Sequence, residues 1–134
     1  MAELTVRIVA TDRMVFQGSA SLVVFNTLDG QIGVMAKHSP LMAVLRDAPV
    51  LIRTTDSGDV YAAVHGGFVT VDGNDVIILA ETAELADDIV LDAVNKVIAE
   101  VGTPAEDDVK GQAMLERANV RLATLEKANS GKSR

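Results

Sequence analysis

The sequence changes its hydrophobic periodicity near Leu85, and this change constrains the fold more than any other feature. Before Leu85, apolar residues alternate with polar ones, as in residues 4–8, or form short runs. A period of two places every second side chain on one face of a β-strand. After Leu85 the apolar residues recur every three or four positions, which is the helical period. The sequence therefore predicts a β part, residues 1–85, followed by a helical part, residues 86–134.

The β part contains several short segments rich in β-branched and aliphatic residues, with Asp-Gly and Asn-Asp turn signals between several of them. Many short strands without an intervening helix predict an antiparallel β-sandwich or barrel. The predicted strands are Leu4–Ile8, Met14–Phe16, Ala20–Asn26, Gln31–Met35, Val50–Thr54, Val60–Val64, Phe68–Val71 and Val76–Ala80.

The helical part predicts two helices joined by one short turn. In the first helix, Asp87 or Asp88 is the expected N-cap and Gly102 the residue after the C-terminus. Its apolar face is formed by Val90, Val94, Val97 and Val101.

The second helix is predicted to begin with a capping box at Thr103–Glu106 that has proline at its first helical position. Its apolar positions are Leu115, Ala118, Leu122 and Leu125, and its tail is expected to fray from about Asn129. Two short helices have little core of their own, so the pair must dock on the β part or on another protein. This requirement predicts a mobile hairpin.

The composition excludes several classes of protein. The chain has 134 residues and a formal net charge of −7, and its length fits one domain, or one domain with a small appendage. It has no cysteine, which excludes disulfides and thiolate metal sites. The acidic balance disfavours a nucleic-acid partner. No apolar run is long enough to cross a bilayer, and the N-terminus resembles neither a signal nor a transit peptide. We therefore expect a soluble cytoplasmic protein.

The sequence lacks a convincing set of catalytic groups, so we predict no catalytic, metal or cofactor site. Its histidines, His38 and His65, have no ligand partner at metal-site spacing. Residues 30–33 resemble half of a dinucleotide fingerprint, but no helix pattern follows them. The Gly66-Gly67 pair favours a close approach of the backbone within the fold over a contact with another chain. The remaining enzyme alternative is a small β-sandwich enzyme that uses either histidine with a carboxylate such as Asp29 or Glu81.

Two arginines in the second helix are the most informative charges. Arg117 and Arg121 are four residues apart, so they share a helix face and repel each other. An acidic protein segment or a phosphate would offset that repulsion, since both match the guanidinium geometry. Exposure to solvent is the other interpretation, and for an isolated pair it is the more common one.

Three motifs occur together in this order: Gly30–Leu41, which contains Gly-Gln-Ile-Gly and His-Ser-Pro, then Gly66-Gly67-Phe68, then Val76–Ala83. With the β-first, helices-last layout they resemble the epsilon subunit of the bacterial F-type, rotary ATP synthase, over essentially the whole chain. The resemblance implies an α+β fold: an N-terminal antiparallel β-sandwich of about ten short strands, followed by a C-terminal α-helical hairpin.

The resemblance also implies a non-catalytic subunit of the central stalk, or rotor. Its β-sandwich would bind the gamma subunit and the membrane c-ring, and so link proton flow to ATP synthesis. Its hairpin would inhibit ATP hydrolysis by extending along gamma to the alpha and beta subunits. The protein would then lie peripherally on the cytoplasmic face of the bacterial cell membrane and touch the membrane only indirectly.

The same resemblance carries roles to matching positions of this sequence. The segment Asp29, Gly30, Gln31, Ile32 and Gly33 would meet the c-ring, and His38 would lie near gamma. Arg117 and Arg121 match the family's Arg-Ala-x-x-Arg-Leu pattern at residues 117–122, so the resemblance implies that they would face acidic residues of beta.

Two positions depart from the family pattern. Ala36 stands where proline is frequent, which loosens one turn. Some bacterial members bind ATP in the folded hairpin through an Asp-x-x-Arg motif; here Asp92 is kept, but Asn95 replaces the arginine and Lys96 points another way. We therefore expect ATP binding to be weak or absent. Besides the enzyme, a free-standing adaptor that purifies away from any membrane complex is the other alternative.

Overall fold

The computed structural model describes residues 3–132, with side chains described as far as Asn129. A nine-stranded sheet precedes a 3₁₀ turn, Ala86–Asp88, and two α-helices. The strands are β1 Leu4–Val9, β2 Met14–Thr27, β3 Gly30–Val34, β4 Leu41–Val44, β5 Ala48–Thr54, β6 Asp59–His65, β7 Phe68–Asp72, β8 Asp75–Leu79 and β9 Thr82–Leu85; the helices are α1 Leu91–Val101 and α2 Val109–Lys132. This is the predicted architecture, a β-sandwich followed by a helical pair.

The strands form one hydrogen-bonded path in the order β4-β7-β8-β1-β2-β5-β6-β9, and β3 pairs with β2 beside it. All of these pairings are antiparallel except that of β1 with β8, which is parallel. A bridge between Thr27 and Leu45 connects the end of β2 to the residue after β4, so the path folds back on itself. The result is a β-sandwich around one core.

The long strand β2 joins the two layers. The sequence predicts two strands here with a break at residues 17–19; this prediction is wrong, because β2 runs unbroken for 14 residues. Residues 17–19 are held by pairing with β1, where Gly18 lies opposite Val6. The second half of β2 pairs with β3 and β5, and the register shifts between Ala20 and Leu22. Tertiary pairing thus overrides the weak local β-propensity of these polar residues.

Two four-residue strands, β4 and β9, were not predicted. Both lie at the ends of the strand path, and each pairs with a single neighbour along it. Strands this short carry little pattern of their own, so only the partner strand, β7 or β6, reveals them.

The core follows from the alternation of the strands. Leu4, Val6 and Ile8 of β1 are fully buried, while the side chains between them are half-buried. In β6, four consecutive residues are buried, from Ala62 to His65. Ala62 and Val64 belong to the core cluster of the sandwich. Because neighbouring side chains point to opposite faces, Ala63 and His65 lie on the outer face.

The helix α2 covers that outer face, packing on β5 and β6. Its buried side chains are mostly small: Ala118, Val120, Thr124 and Ala128. Small residues allow the helix to approach the sheet closely. Of the predicted apolar seam, Ala118 is buried, whereas Leu115, Leu122 and Leu125 are only half-buried. The helix α1 packs mainly on α2 and buries Val94.

The structure corrects the predicted start of the first helix. Asp87 and Asp88 belong to the 3₁₀ turn, so neither caps α1. The N-cap position is Val90, which makes no side-chain cap bond. At the other end, Gly102 follows the last helical residue, as predicted. Its φ of 61° is positive, but with a ψ of −130° it lies outside the left-handed helical conformation expected of such a glycine.

The predicted capping box at Thr103–Glu106 is also wrong, since α2 begins at Val109. The backbone N–H of Gly111 donates to the Asp108 carboxylate over 3.0 Å, and Asp108 therefore caps the helix. The Gln112 side-chain amide donates to the carbonyls of Ala105 and Glu106 and closes the preceding loop. Glu106 and Asp107, the two residues before this carboxylate, form a turn that the Asp108 N–H closes on the Ala105 carbonyl over 3.0 Å.

At its far end α2 continues to Lys132, beyond Asn129, where the sequence places the start of the tail. The last two residues of that tail lie outside the described residues, and fraying stays a prediction. No helix within residues 3–132 is long and apolar enough to cross a membrane.

Candidate partner-binding sites

The first candidate site is the outer face of β5, β6 and β9, on which α2 is docked. The Arg121 guanidinium donates from Nε to Oε1 of Glu84 over 2.6 Å. Nε2 of His65 lies 3.3 Å from the same carboxylate oxygen. Since a carboxylate only accepts, the ring proton of His65 is assigned to Nε2. Glu84 therefore connects the helix to the sheet.

Glu84 is held in its charged form. Burial acts to raise the pKa of its carboxyl, but the hydrogen bonds from His65 and Arg121, together with the positive charge of Arg121, outweigh burial and lower the pKa below its ordinary value. On the other side of the imidazole, Nδ1 of His65 is buried without a hydrogen-bond partner among the described residues. An unpaired buried acceptor of this kind opposes docking.

A second ion pair lies beside Glu84 on the same face. Nη2 of Arg117 donates to Oε2 of Glu81 over 3.2 Å. The Glu81 side chain is 69% exposed and that of Glu84 only 20% exposed. Exposed pairs contribute little, so the buried pair dominates the contact. Of the two interpretations of Arg117 and Arg121, the structure shows an acidic segment, and that segment belongs to the same chain.

The strand that carries Glu84 is positioned by the turn between β1 and β2. Thr11 Oγ1 donates to the carbonyl of Glu81 over 2.9 Å, and Nη2 of Arg13 donates to the carbonyl of Ala83 over 3.2 Å. These two bonds fix the backbone on both sides of Thr82. The Glu84 carboxylate of β9 is consequently presented to α2 from a strand whose backbone is held by the β1–β2 turn.

The Gly66-Gly67 pair provides the space for this arrangement. Gly67 has a φ of 100°, and an ideal Cβ there would lie 1.9 Å from the carbonyl oxygen of Leu79. At Gly66 a Cβ would contact the side chain of Glu81. The backbone N–H of Gly66 donates to Oδ1 of Asp47 over 2.6 Å. The two glycines therefore serve a close approach of the backbone within the fold.

The second candidate site lies at the opposite end of β2, where the sequence places Asp29, Gly30, Gln31, Ile32 and Gly33. These residues form the β2–β3 turn and the start of β3; Ile32 is half-buried and the others are exposed. Thr27 holds the turn: its Oγ1 donates to the Gly30 carbonyl over 2.9 Å and accepts from the Asp29 N–H over 3.1 Å. Gly30, with a φ of 133°, supplies the turn conformation.

An exposed apolar groove begins at this turn. Leu28 is 57% exposed, Met42 75% and Val44 55%. The groove is lined by Thr27, Leu28, Asp29, Ile32, Leu41, Met42, Ala43, Val44 and Phe68. Phe68, at the start of β7, is also exposed, at 41%. An apolar groove with an exposed rim is typical of a protein-binding surface.

His38 lies in the loop between β3 and β4 and is half-buried. Its Nδ1 is 2.7 Å from the carbonyl oxygen of Ser39. The same loop is held by the Lys37 N–H, which donates to Asn74 over 2.9 Å. The eight sequence-predicted residues thus occupy three places: the β2–β3 turn, this loop and the helix α2.

The sequence analysis singled out Arg117 and Arg121, but it did not identify Glu84 of β9 as the residue that pairs with Arg121. Glu84 is separated from Arg121 by 37 positions, and no local pattern links them. For the enzyme alternative, His65 is bonded to Glu84 and not to Glu81 or Asp29, and it has no exposed surface with which to contact a substrate. Residues 3–132 contain no group of three metal-ligating side chains.

These features define a class of protein: a β-sandwich that has an exposed apolar groove at one place and, on its outer face, a C-terminal helical pair held by ion pairs. Residues 3–86 match the family described as ATP synthase, Delta/Epsilon chain, beta-sandwich domain. The protein belongs to this ATP synthase delta/epsilon chain family.

Relatives support the assignment along most of the chain. The ATP synthase epsilon chain of Streptomyces coelicolor is 48% identical over 122 residues, which cover 90% of this chain and 94% of the relative. That of Rhodococcus jostii is 44% identical over 129 residues, 96% of this chain and all of the relative. That of Micrococcus luteus is 48% identical over 87 residues, which make up 96% of the relative but 65% of this chain.

Solved structures share the fold. A chain in the Euglena gracilis mitochondrial ATP synthase, in a structure of OSCP, F1 and c-ring, aligns with a TM-score of 0.72 and 21% identity, covering 96% of this chain and 82% of its own. A chain in the central stalk and c-ring of the Tetrahymena thermophila mitochondrial ATP synthase aligns with a TM-score of 0.57 and 20% identity, covering 93% and 95%. At this identity the likeness establishes the fold alone.

Proposed function

We propose that this chain is a non-catalytic central-stalk subunit of an F-type ATP synthase. In this role its β-sandwich links the gamma subunit to the membrane c-ring during proton-driven ATP synthesis. The observation that carries the proposal is the 48% identity to an ATP synthase epsilon chain over 90% of the sequence. Membrane association would then be indirect, through the c-ring, at the cytoplasmic face of a bacterial membrane.

The apolar groove supports a role in assembly. Met42 and Val44 point their apolar side chains into solvent from a short strand at the end of the strand path, next to the Asp29–Gly33 turn. Burial of such side chains against another subunit would be favourable by about 25 cal/mol per Å² of apolar surface. We assign the Asp29–Gly33 turn to the c-ring contact and His38 to the gamma-facing side.

The docked helices support a regulatory role. In the docked state Arg117 and Arg121 are paired with Glu81 and Glu84. If the hairpin extends along gamma, these pairs break and both guanidinium groups can bind acidic residues of the beta subunit. The helix α2 would then contact the alpha and beta subunits. We propose that this extended state inhibits ATP hydrolysis, and that the docked state permits it.

The hairpin is not proposed as an ATP site. Asn95 and Lys96 are exposed on α1, and the arginine of the family's nucleotide motif is absent. A phosphate group would lack the bidentate partner that this position supplies elsewhere in the family.

The experiment that tests the assignment is a pull-down of the tagged, full-length chain from detergent-solubilised membranes. Gamma and the c-ring are expected to copurify with it. Recovery of the chain alone, stable and without membrane subunits, would instead support the adaptor alternative. Loss of a small-molecule turnover in His38→Ala or His65→Ala, with the assembly intact, would support the enzyme alternative.

A further inference from the structure

The outer face of the sandwich contains a buried histidine beside the contact with α2. His65 has no exposed surface, although it ends a strand whose alternation turns its side chain away from the core. The elements that pack on that side of β6 include α2, which reaches the imidazole through the Arg121–Glu84 contact. When α2 leaves, the imidazole becomes accessible to water.

The two ion pairs beneath α2 differ in strength. Glu84 and Arg121 are 20% and 28% exposed and are 2.6 Å apart. Glu81 and Arg117 are 69% and 36% exposed and are 3.2 Å apart. A short, partly desolvated, charge-assisted bond stabilises a contact more than a longer exposed one, which water and salt screen.

Glu84 is also the better-anchored carboxylate. It is bonded on the helix side by Arg121 and on the sheet side by His65, so its rotamer is set before α2 arrives. The Glu81 carboxylate has solvent around most of its surface. A preorganised partner loses less conformational freedom when the helix docks.

We propose that the Glu84–Arg121 pair is the principal determinant of whether α2 lies on the sandwich, that Glu81–Arg117 is auxiliary, and that His65 is shielded only in the docked state. Arg121 and Glu84 are thus positioning residues for the hairpin. The inference deepens the proposed function, on which its physiological meaning rests. Its test uses the isolated full-length chain, so that it stands or fails separately from any pull-down.

The chain offers its own reporter and control, because His38 and His65 are its two histidines. Arg46 and Arg53 lie between them, so trypsin places the two in different peptides. The full-length chain is treated with diethyl pyrocarbonate at pH 7, and the rate of modification at each histidine is measured by mass spectrometry. His38, half-buried in the β3–β4 loop, reports the integrity of the sandwich.

In the wild-type chain, His65 is expected to react at least about tenfold more slowly than His38. Arg121→Met keeps the length of the side chain but removes its charge, and should raise the His65 rate by about tenfold, the loss expected for a bond to a charged group. Arg117→Met, the matched control one helical turn earlier, should raise it less than about threefold. The His38 rate should not change in either variant.

Glu84→Gln and Glu81→Gln form a second matched pair, in which the first should expose His65 and the second should not. The proposal is overturned if His65 reacts as fast as His38 in the wild type, if Arg121→Met and Glu84→Gln both leave His65 protected, or if Arg117→Met equals Arg121→Met. Increased reactivity of both histidines in Arg121→Met would also overturn it, because Arg121 would then support the sandwich itself. If the His65 rates are as expected but gamma and the c-ring do not copurify with the chain, the rotor assignment is rejected and the docking proposal stands.

Discussion

Gly67 lies against the carbonyl oxygen of Leu79 so closely that a Cβ at residue 67 would be 1.9 Å from it. The φ of Gly67 is 100°, a value that residues other than glycine rarely adopt. The contact joins the β6–β7 turn to the end of β8, immediately before the strand that carries Glu84. Both the sandwich and the helix-docking face therefore depend on this glycine.

We expect Gly67→Ala to lower the free energy of unfolding by at least about 3 kcal/mol, because steric overlap adds to backbone strain. Gly58→Ala is the matched control: Gly58 also has a positive φ, 76°, but nothing lies within 4 Å of the added Cβ. It should cost about 1–2 kcal/mol. Urea denaturation measures both, and equal losses would contradict the close-approach argument.

The stability of the chain should depend on pH through Glu84. The folded state lowers the pKa of Glu84 from its ordinary value of 4.5, so its contribution to stability is present above that pH and is lost as the pH falls through the lowered value. Wild type should therefore exceed Glu84→Gln in urea midpoint at pH 7, and this advantage should shrink between pH 5 and pH 3. A difference that is constant with pH would refute the assignment.

Removal of the helices should leave the sandwich folded. A chain that ends at Asp88 keeps the 3₁₀ turn, whose Ala86 is buried, and loses α1 and α2. We expect it to assemble with gamma and the c-ring and to increase ATP hydrolysis by the complex relative to the full-length chain. Identical hydrolysis rates with both chains would reject the inhibitory role of the hairpin.

The apolar groove should be required for assembly. Met42→Glu introduces a charge at a side chain that is 75% exposed, and should reduce copurification of gamma and the c-ring by about tenfold or more, because burial of an unpaired charge is unfavourable. Met14→Glu, at a side chain 51% exposed at the start of β2, is the control and should assemble normally. Both variants should unfold at the wild-type urea concentration. Normal assembly of Met42→Glu would exclude the groove from the interface.

Isothermal titration calorimetry of the isolated chain with ATP should show no binding at micromolar concentrations. Asn95→Arg restores the cation at the family's position and should bind ATP more tightly than wild type does, since a guanidinium pairs with phosphate. Micromolar binding by the wild-type chain would contradict our interpretation of Asn95.

The architecture could be predicted because the period of the hydrophobic residues can be read within any short stretch of the sequence. The change of period at Leu85 coincides with the end of β9, and Gly102 follows the last residue of α1, where a positive φ is easily adopted by glycine. The continuity of β2 could not be predicted, because residues 17–19 are strand only by virtue of their pairing with β1. The helix starts were misplaced because α1 begins after Val90 without any side-chain cap, and because Asp108 rather than Thr103 caps α2.

For the candidate sites, the sequence identified half of each contact. The four-residue spacing of Arg117 and Arg121 pointed to an anionic partner, but nothing local identified Glu84, 37 positions from Arg121. Likewise Asp29 was placed at a partner-binding turn, whereas the exposed side chain of Met42 becomes its neighbour along the groove only through folding. Each missing half depends on tertiary structure.

The connection between the two parts of the molecule is made by Ile89 and Val90. Both are extended, with φ and ψ of −85° and 126° and of −97° and 113°, and no side-chain cap fastens the first turn of α1. A swing of the hairpin therefore needs rotation about few torsions and breaks no cap at the pivot. The Glu84–Arg121 contact lies beside this connection, because Glu84, Arg121, Ile89 and Val90 line one small cavity. A changed side chain at the hinge should therefore also disturb the contact that holds α2.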